Sequence, residues 1–163
     1  MTRIILIKGP TDSHKTTTAL EFTSKFVTAI TYIGSGPGAS GAILSALPPM
    51  PIGTGRPKDF VAVGSYSTNG ETLKIGVASA GDGANQINGH LSYFVTLNLD
   101  IILICCKNSG SSVDRVMHHL YDPAGLFYKS TLNVTSKFKF PRGNPLISDD
   151  RARAIGDIIR YIG

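Results

Sequence analysis

The first 27 residues constrain the fold of this chain more than any other stretch. Residues 3–8 read Arg-Ile-Ile-Leu-Ile-Lys, an apolar run rich in β-branched side chains that is typical of a strand. Gly9 and Pro10 interrupt the run, and from Lys15 to about Val27 the apolar residues recur at helical spacing. The sequence therefore predicts a strand, a loop and a helix in immediate succession.

The loop between this strand and helix follows the pattern G-x-x-x-x-G-K-[ST] with one mismatch, because His14 stands in place of the second glycine. The backbone amides of such a loop, other than that of Pro10, and the helix N-terminus are suited to hold a phosphate. Lys15 would contact β- and γ-phosphate oxygens, and the hydroxyl of Thr16 would bind Mg²⁺. The residues predicted to bind a nucleotide in this loop are Gly9, Pro10, Thr11, Asp12, Ser13, His14, Lys15, Thr16 and Thr17.

The segment from about Arg3 to Phe26 resembles the Walker A motif of P-loop nucleoside triphosphatases and nucleotide kinases. The resemblance implies a nucleoside triphosphate site in which Gly9, Lys15 and Thr16 have the family's roles. His14 departs from the family's pattern and leaves three alternatives open. The loop tolerates the imidazole, the imidazole helps to hold a phosphate, or the loop is kept only for folding.

The order of the remaining segments predicts a single α/β domain over residues 1–163, and the resemblance implies that this domain is P-loop NTPase-like. Strands are expected at residues 28–33, at 60–66 and 73–79 around the hairpin signal Asn69-Gly70, at 100–106 and at 128–140. Helices are expected at residues 85–97, from a serine cap at 111 or 112 to 121, and from a cap at Ser148 to the C-terminus. We expect a three-layer sandwich with a mostly parallel sheet, one antiparallel hairpin and a long Gly/Pro-rich loop at about 34–59.

A metal at such a site needs a carboxylate at the end of a neighbouring strand, and the sequence offers two candidates. Asp82 leaves the carboxyl end of its strand, where parallel α/β sheets place the ligand crevice, whereas Asp100 begins a strand at the opposite edge. Asp82 is therefore the predicted metal ligand and, with Lys15, the predicted catalytic residue. The alternative is that Asp82 only shapes a Gly-Asp-Gly turn.

Lys107 leaves the next strand at the same edge and is predicted to contact the base or a phosphate. The segment Lys107-Asn108-Ser109-Gly110 lacks the aspartate of the N-K-x-D segment with which G proteins read guanine. The sequence therefore favours ATP over GTP as the substrate. Arginines at positions 142, 151 and 153 are candidates for neutralising charge during phosphoryl transfer.

Composition narrows the class of protein and its partners. A hydrophobic fraction of 42% with 17% charged residues is typical of a folded globular domain. The net charge of +5 attracts anionic ligands, but the basic residues form no run, so nucleic acid is a possible partner that the sequence does not favour. The adjacent Cys105 and Cys106 are predicted to be buried thiols in a reducing compartment. With no signal-peptide pattern and no apolar run of about 20 residues, we expect a cytoplasmic protein without a membrane partner.

These observations favour an Mg²⁺-dependent protein that hydrolyses a nucleoside triphosphate or transfers its γ-phosphoryl group to a small acceptor. The alternative is a non-catalytic module that binds phosphate or nucleic acid, or an assembly subunit that keeps the fold without the chemistry. The sequence does not identify the acceptor or the oligomeric state.

Overall fold

The computed structural model describes residues 1–10, 14–33, 43–44, 59–81, 83–136, 138–139 and 143–163. Within these ranges the chain forms one seven-stranded sheet and four helices. The strands are β1 (Arg3–Lys8), β2 (Thr28–Ile33), β3 (Ile43–Leu44), β4 (Val61–Thr68), β5 (Glu71–Ala78), β6 (Ile101–Cys106) and β7 (Thr131–Val134). The helices are α1 (Lys15–Phe26), α2 (Ala84–Val95), α3 (Ser111–Tyr121) and α4 (Ile147–Ile162).

The sheet has the strand order β3-β2-β4-β5-β6-β1-β7. Strands β5, β6, β1 and β7 are parallel neighbours, and β4 pairs antiparallel with β5 through the predicted hairpin. The prediction of a mixed α/β sheet with this hairpin is confirmed. The sheet also contains antiparallel pairs of β2 with β4 and with β3, which were not predicted because periodicity identifies a strand but not its partner.

Helices cover both faces of the sheet, because alternate side chains of the central strands point to opposite sides. Ile5 and Ile7 of β1 lie in one core with residues of α1 and α4. Ile4 and Leu6 lie in a second core with residues of α2 and α3. The two cysteines divide in the same way, since Cys105 belongs to the first core and Cys106 to the second. Both thiols are buried, as predicted.

Several predicted boundaries differ from the structure. The late strand is shorter than expected, since among the described residues of 128–140 the sheet contains Thr131–Val134. Neither predicted serine cap forms, since α3 begins after Gly110 and α4 begins after Leu146. The hydroxyl of Ser112 instead accepts a hydrogen bond from the backbone N–H of Lys107 at 3.3 Å. Most of the predicted loop at 34–59 lies outside the described residues.

None of the helices in the described ranges has both the length and the apolar composition needed to cross a membrane.

His119 joins the end of α3 to the turn that follows it. Its Nε2 lies 2.8 Å from Asn88 Oδ1, and the backbone N–H of Leu126 donates to its Nδ1 at 3.3 Å. Because Leu126 can only donate here, Nδ1 carries no proton and Nε2–H donates to Asn88. Burial, with smaller contributions from His118 and Arg115, lowers the pKa of His119 below its ordinary value of 6.5. The folded state therefore holds the imidazole neutral.

We expect the free energy of unfolding to fall as the pH drops below about 6.5, because the unfolded state then binds a proton that His119 in the folded state resists. The contribution of His119 to the free energy of unfolding is fully present above the pKa that this histidine has in the unfolded state. It is lost as the pH falls toward the lower pKa of His119 in the folded state. Urea unfolding at pH 7.5 and 5.5 measures it. The variant His119→Gln should be less stable at pH 7.5 and should lose less stability at pH 5.5. Equal losses in the variant and the wild type would contradict this assignment.

Candidate functional site

The candidate site lies at the carboxyl edge of the sheet, where β1 and β6 are neighbours. The chain leaves β1 toward β2 through α1 on one face, and leaves β6 toward β7 through α3 on the other face. Such a reversal of strand order opens a crevice between the two strand ends. The register pairs Lys8 with Cys106, and the backbone N–H of Gly9 donates to the carbonyl of Cys106 at 3.2 Å. The loop after β1 therefore begins at the crevice.

His14 has the backbone conformation that explains why a glycine is expected at its position. Its φ of 60° and ψ of 26° lie in the left-handed region, which glycine adopts without strain. Histidine is among the non-glycine residues that are enriched there. The carbonyl of His14 accepts hydrogen bonds from the backbone N–H and the hydroxyl of Thr18, each at 2.9 Å. The residue thus precedes α1 in a conformation that a glycine would adopt without strain.

Lys15 folds back over the loop that precedes it. Its side chain is only 8% exposed, and Nζ donates to the carbonyls of Gly9 and Pro10 at 2.8 Å each. An ammonium group has three protons, and within the described part of the chain two of them are donated, so the third can serve a further acceptor. The first turn of α1 contains no acidic residue. The lysine charge and the unpaired N–H groups of the helix start therefore favour an anion at this point.

Thr16 contacts a carboxylate that was not among the predicted site residues. Its hydroxyl donates to Asp59 Oδ1 at 2.8 Å, and Ser79 Oγ donates to the same oxygen at 3.0 Å. The backbone N–H of Phe60 donates to Ser79 Oγ at 2.8 Å, and the N–H of Ser79 donates to the carbonyl of Phe60 at 3.1 Å. These bonds connect the start of α1 to both strands of the hairpin.

Asp59 reaches this edge because β4 runs antiparallel to its neighbours. Val61 at the start of β4 is paired with Ala78 at the end of β5. The beginning of an antiparallel strand lies at the same edge as the end of a parallel one, so Asp59 lies beside Ser79. A search of strand ends alone overlooks such a residue. The signal was present in the sequence, because Asp59 directly precedes the predicted hairpin strand.

Four predicted site residues lie outside the described residues, namely Thr11, Asp12, Ser13 and Asp82. Thr17 is half-buried in the first turn of α1. Asp100 lies at the opposite edge, as expected, where its Oδ2 accepts a hydrogen bond from the N–H of Lys74 at 2.8 Å.

The chain just before Asp82 is tightly constrained, whereas the chain just after it has open surroundings. A Cβ on Gly81 would lie 1.5 Å from the carbonyl oxygen of Cys105, so only glycine fits there, whereas a Cβ on Gly83 would meet nothing within 4 Å. His90 is fully buried, and its Nε2 lies 2.6 Å from the carbonyl of Ala80. Burial lowers the pKa of His90, so the neutral ring donates through Nε2 to that carbonyl. The backbone that leads into Asp82 is therefore held in place.

Lys107 follows β6 at the same edge and is half-buried. Close by, a cavity of about 390 Å³ opens where α2 and α3 begin. It is lined by Ala84, Ser111, Asp114, Arg115 and His118. Among the candidate arginines, Arg153 forms an ion pair with Asp150, Arg151 lies in α4, and Arg142 is outside the described residues.

The residues around Thr16 fit a hard cation such as Mg²⁺. A hydroxyl and a carboxylate are oxygen donors, and Mg²⁺ typically combines one or two carboxylates with phosphate oxygens and water. Among the described residues no group of three or more His, Cys, Asp or Glu side chains is placed to hold a metal by itself. Within the described part of the chain, Thr16 and Asp59 are two oxygen donors that lie together here.

The substitution Gly81→Ala should destabilise the protein by about 1–3 kcal/mol, because a methyl group would overlap the backbone of β6. Gly83→Ala is the matched control on the other side of Asp82, where a methyl group meets nothing within 4 Å; since Gly83 is the N-cap of α2, the loss should reflect only the lower preference for alanine there and stay below about 1 kcal/mol. Thermal unfolding of both variants measures the difference. Equal stability of the two would contradict the close approach of residue 81 to β6.

The chain was also compared with known proteins. No protein-family model, curated protein or solved structure matches it.

Proposed function

We propose that this protein binds a nucleoside triphosphate with Mg²⁺ in the loop of residues 9–16 and is a P-loop NTPase or nucleotide kinase-like protein. It hydrolyses the nucleotide or transfers its γ-phosphoryl group to a small acceptor, and ATP is the favoured substrate. The observation that carries the proposal is the conformation at His14 and Lys15. His14 has a left-handed backbone conformation just before α1. The side chain of Lys15, the first residue of α1, reaches back to the carbonyls of Gly9 and Pro10 after β1.

The charges and donors of the loop support phosphate binding. The Lys15 ammonium lies at the N-terminus of α1 and keeps one proton for an anionic oxygen. The N–H groups of the first helical turn add further donors. Donors that are fixed before the ligand arrives need little reorganisation, which is how electrostatic stabilisation of transferred phosphoryl groups operates.

Mg²⁺ would supply charge neutralisation on the phosphate oxygens when bound. Thr16 is proposed as one ligand, and Asp82, which lies outside the described residues, is proposed as a carboxylate ligand because of its position in the sequence. Space for an acceptor is available in the cavity at the starts of α2 and α3, whose lining contains both acidic and basic side chains. That mixed lining suits a small polar molecule rather than an apolar one.

Wild-type protein should be stabilised against heat by Mg²⁺ and ATP, since a ligand that binds only the folded state raises its stability. At a ligand concentration of one hundred times Kd the gain is about 2.7 kcal/mol, or a rise in Tm of about 5–10 °C for a chain of this size. Lys15→Ala should abolish the shift. Differential scanning fluorimetry with a panel of nucleotides measures it.

Lys25→Ala is the matched control, because Lys25 lies at the other end of α1 and pairs with Glu21 on the surface. This variant should keep the full shift. Absence of any shift in the wild type across the panel would overturn the proposed function. Labelled ATP, with released phosphate resolved from transferred phosphate, separates a hydrolase from a kinase. Steeply salt-dependent binding of nucleic acid that Lys15→Ala leaves unchanged would favour the non-catalytic module.

His14→Gly should tighten ATP binding. Glycine adopts the left-handed conformation without strain and removes the imidazole from the loop, so the loop can approach the phosphates more closely. Isothermal titration with ATP and Mg²⁺ measures the change. Weaker binding by His14→Gly would identify the imidazole as a phosphate ligand instead.

A further inference from the structure

We infer that Asp59 is a direct carboxylate ligand of the metal and acts with Thr16. This inference rests on the proposed function, because it concerns the metal that would accompany the nucleotide. Asp59 precedes the antiparallel strand β4. The role of metal ligand that the sequence suggested for Asp82 is thus assigned to Asp59 as well.

The hydrogen bonds around Asp59 leave one of its two oxygens open. Oδ1 accepts from Thr16 at 2.8 Å and from Ser79 at 3.0 Å. Oδ2 accepts no hydrogen bond from any residue in the part of the chain that the structure describes, and the side chain is exposed. The carboxylate is therefore oriented by two donors through one oxygen while the other oxygen remains available to a cation.

Thr16 can serve Asp59 and a metal at the same time. Its hydroxyl has one proton and two lone pairs, and the proton is donated to Asp59. The lone pairs remain for a cation. The Thr16 hydroxyl thus uses its proton for the hydrogen bond to Asp59 and its lone pairs for a cation. The two side chains therefore offer a cation two neighbouring oxygen ligands.

Ser79 makes this position of Asp59 rigid. It is 3% exposed, and it holds Asp59 through its hydroxyl while its backbone N–H and Oγ are both bonded to Phe60. Since β4 and β5 are paired along their full length, the carboxylate is attached to a fixed framework. Such orienting contacts are typical of residues that support a metal ligand.

The experiment compares ATP affinity in excess EDTA with ATP affinity in Mg²⁺, in the wild type and in Asp59→Asn. Without metal, the variant should bind ATP as tightly as the wild type or more tightly, because a negative charge beside the phosphates has been removed. In Mg²⁺, the wild type should gain affinity, and the variant should lose at least about tenfold of that gain. A purely structural role for Asp59 would weaken binding in both conditions.

Asp100→Asn is the control, since that carboxylate lies at the opposite edge of the sheet. The Asp100→Asn variant should bind ATP as tightly as the wild type both in excess EDTA and in Mg²⁺. Asp82→Asn is measured alongside. If Asp59→Asn keeps the full gain from Mg²⁺, the inference is wrong, whether or not Asp82→Asn loses it. If the wild type binds no ATP in either condition, the proposed function fails and the inference fails with it.

If Asp59→Asn does not fold, a second variant tests whether Asp59 binds the metal directly. Asp59→Cys places a soft thiolate at the position, so the metal preference of ATP binding should shift from Mg²⁺ toward Cd²⁺ by at least about tenfold relative to the wild type. The native Cys105 and Cys106 are fully buried, so they do not compete for the added metal. An unchanged ratio of Mg²⁺ to Cd²⁺ would overturn direct ligation by Asp59.

Discussion

The parallel pairing of β1 with β6 is the constraint on which the rest of the structure depends. The side chains of Ile4–Ile7 and of Ile101–Cys106 are all fully buried. A strand buried on both faces cannot shift its register by one residue without exchanging the two cores. The pairing of Lys8 with Cys106 then determines where the loop after β1 begins and which residues it can meet. The position of the candidate site is thus set by apolar burial and the strand register that it fixes.

At this edge the backbone has to change direction within very few residues, and the two unusual residues follow from that requirement. His14 turns the chain into α1 through a left-handed conformation. Gly81 passes so close to the carbonyl of Cys105 that no side chain fits. Position 14 tolerates a residue with a side chain, because the cost there is only the strain of a left-handed backbone conformation. Position 81 does not, because any Cβ would overlap the backbone of β6.

The sequence predicted those parts of the fold whose signals are local. The apolar runs of β1 and β6, the Asn69-Gly70 hairpin and the stripe of α3 all identify single elements, and each is present. Partners between strands are not local, which is why the pairing of β2 with β4 was not foreseen. Helix starts were misplaced for another reason. Ser112 and Ser148 use their hydroxyls for neighbouring backbone groups rather than as caps.

In the candidate site, too, the residues in a local sequence pattern were predictable, and the residue that joins them from elsewhere in the chain was not. Lys15 and Thr16 were found because their spacing is a local pattern, whereas Asp59 joins Thr16 only across the sheet, from 43 residues away. An antiparallel strand reverses which of its ends lies at the ligand edge, so a rule for parallel strands points to the wrong end of β4. In a mixed sheet, the residues before antiparallel strands therefore belong in the search together with those after parallel strands. Here Asp59 precedes such a strand, and its carboxylate meets the hydroxyl of Thr16 in the first turn of α1. The hairpin that follows Asp59 is joined along eight residue pairs.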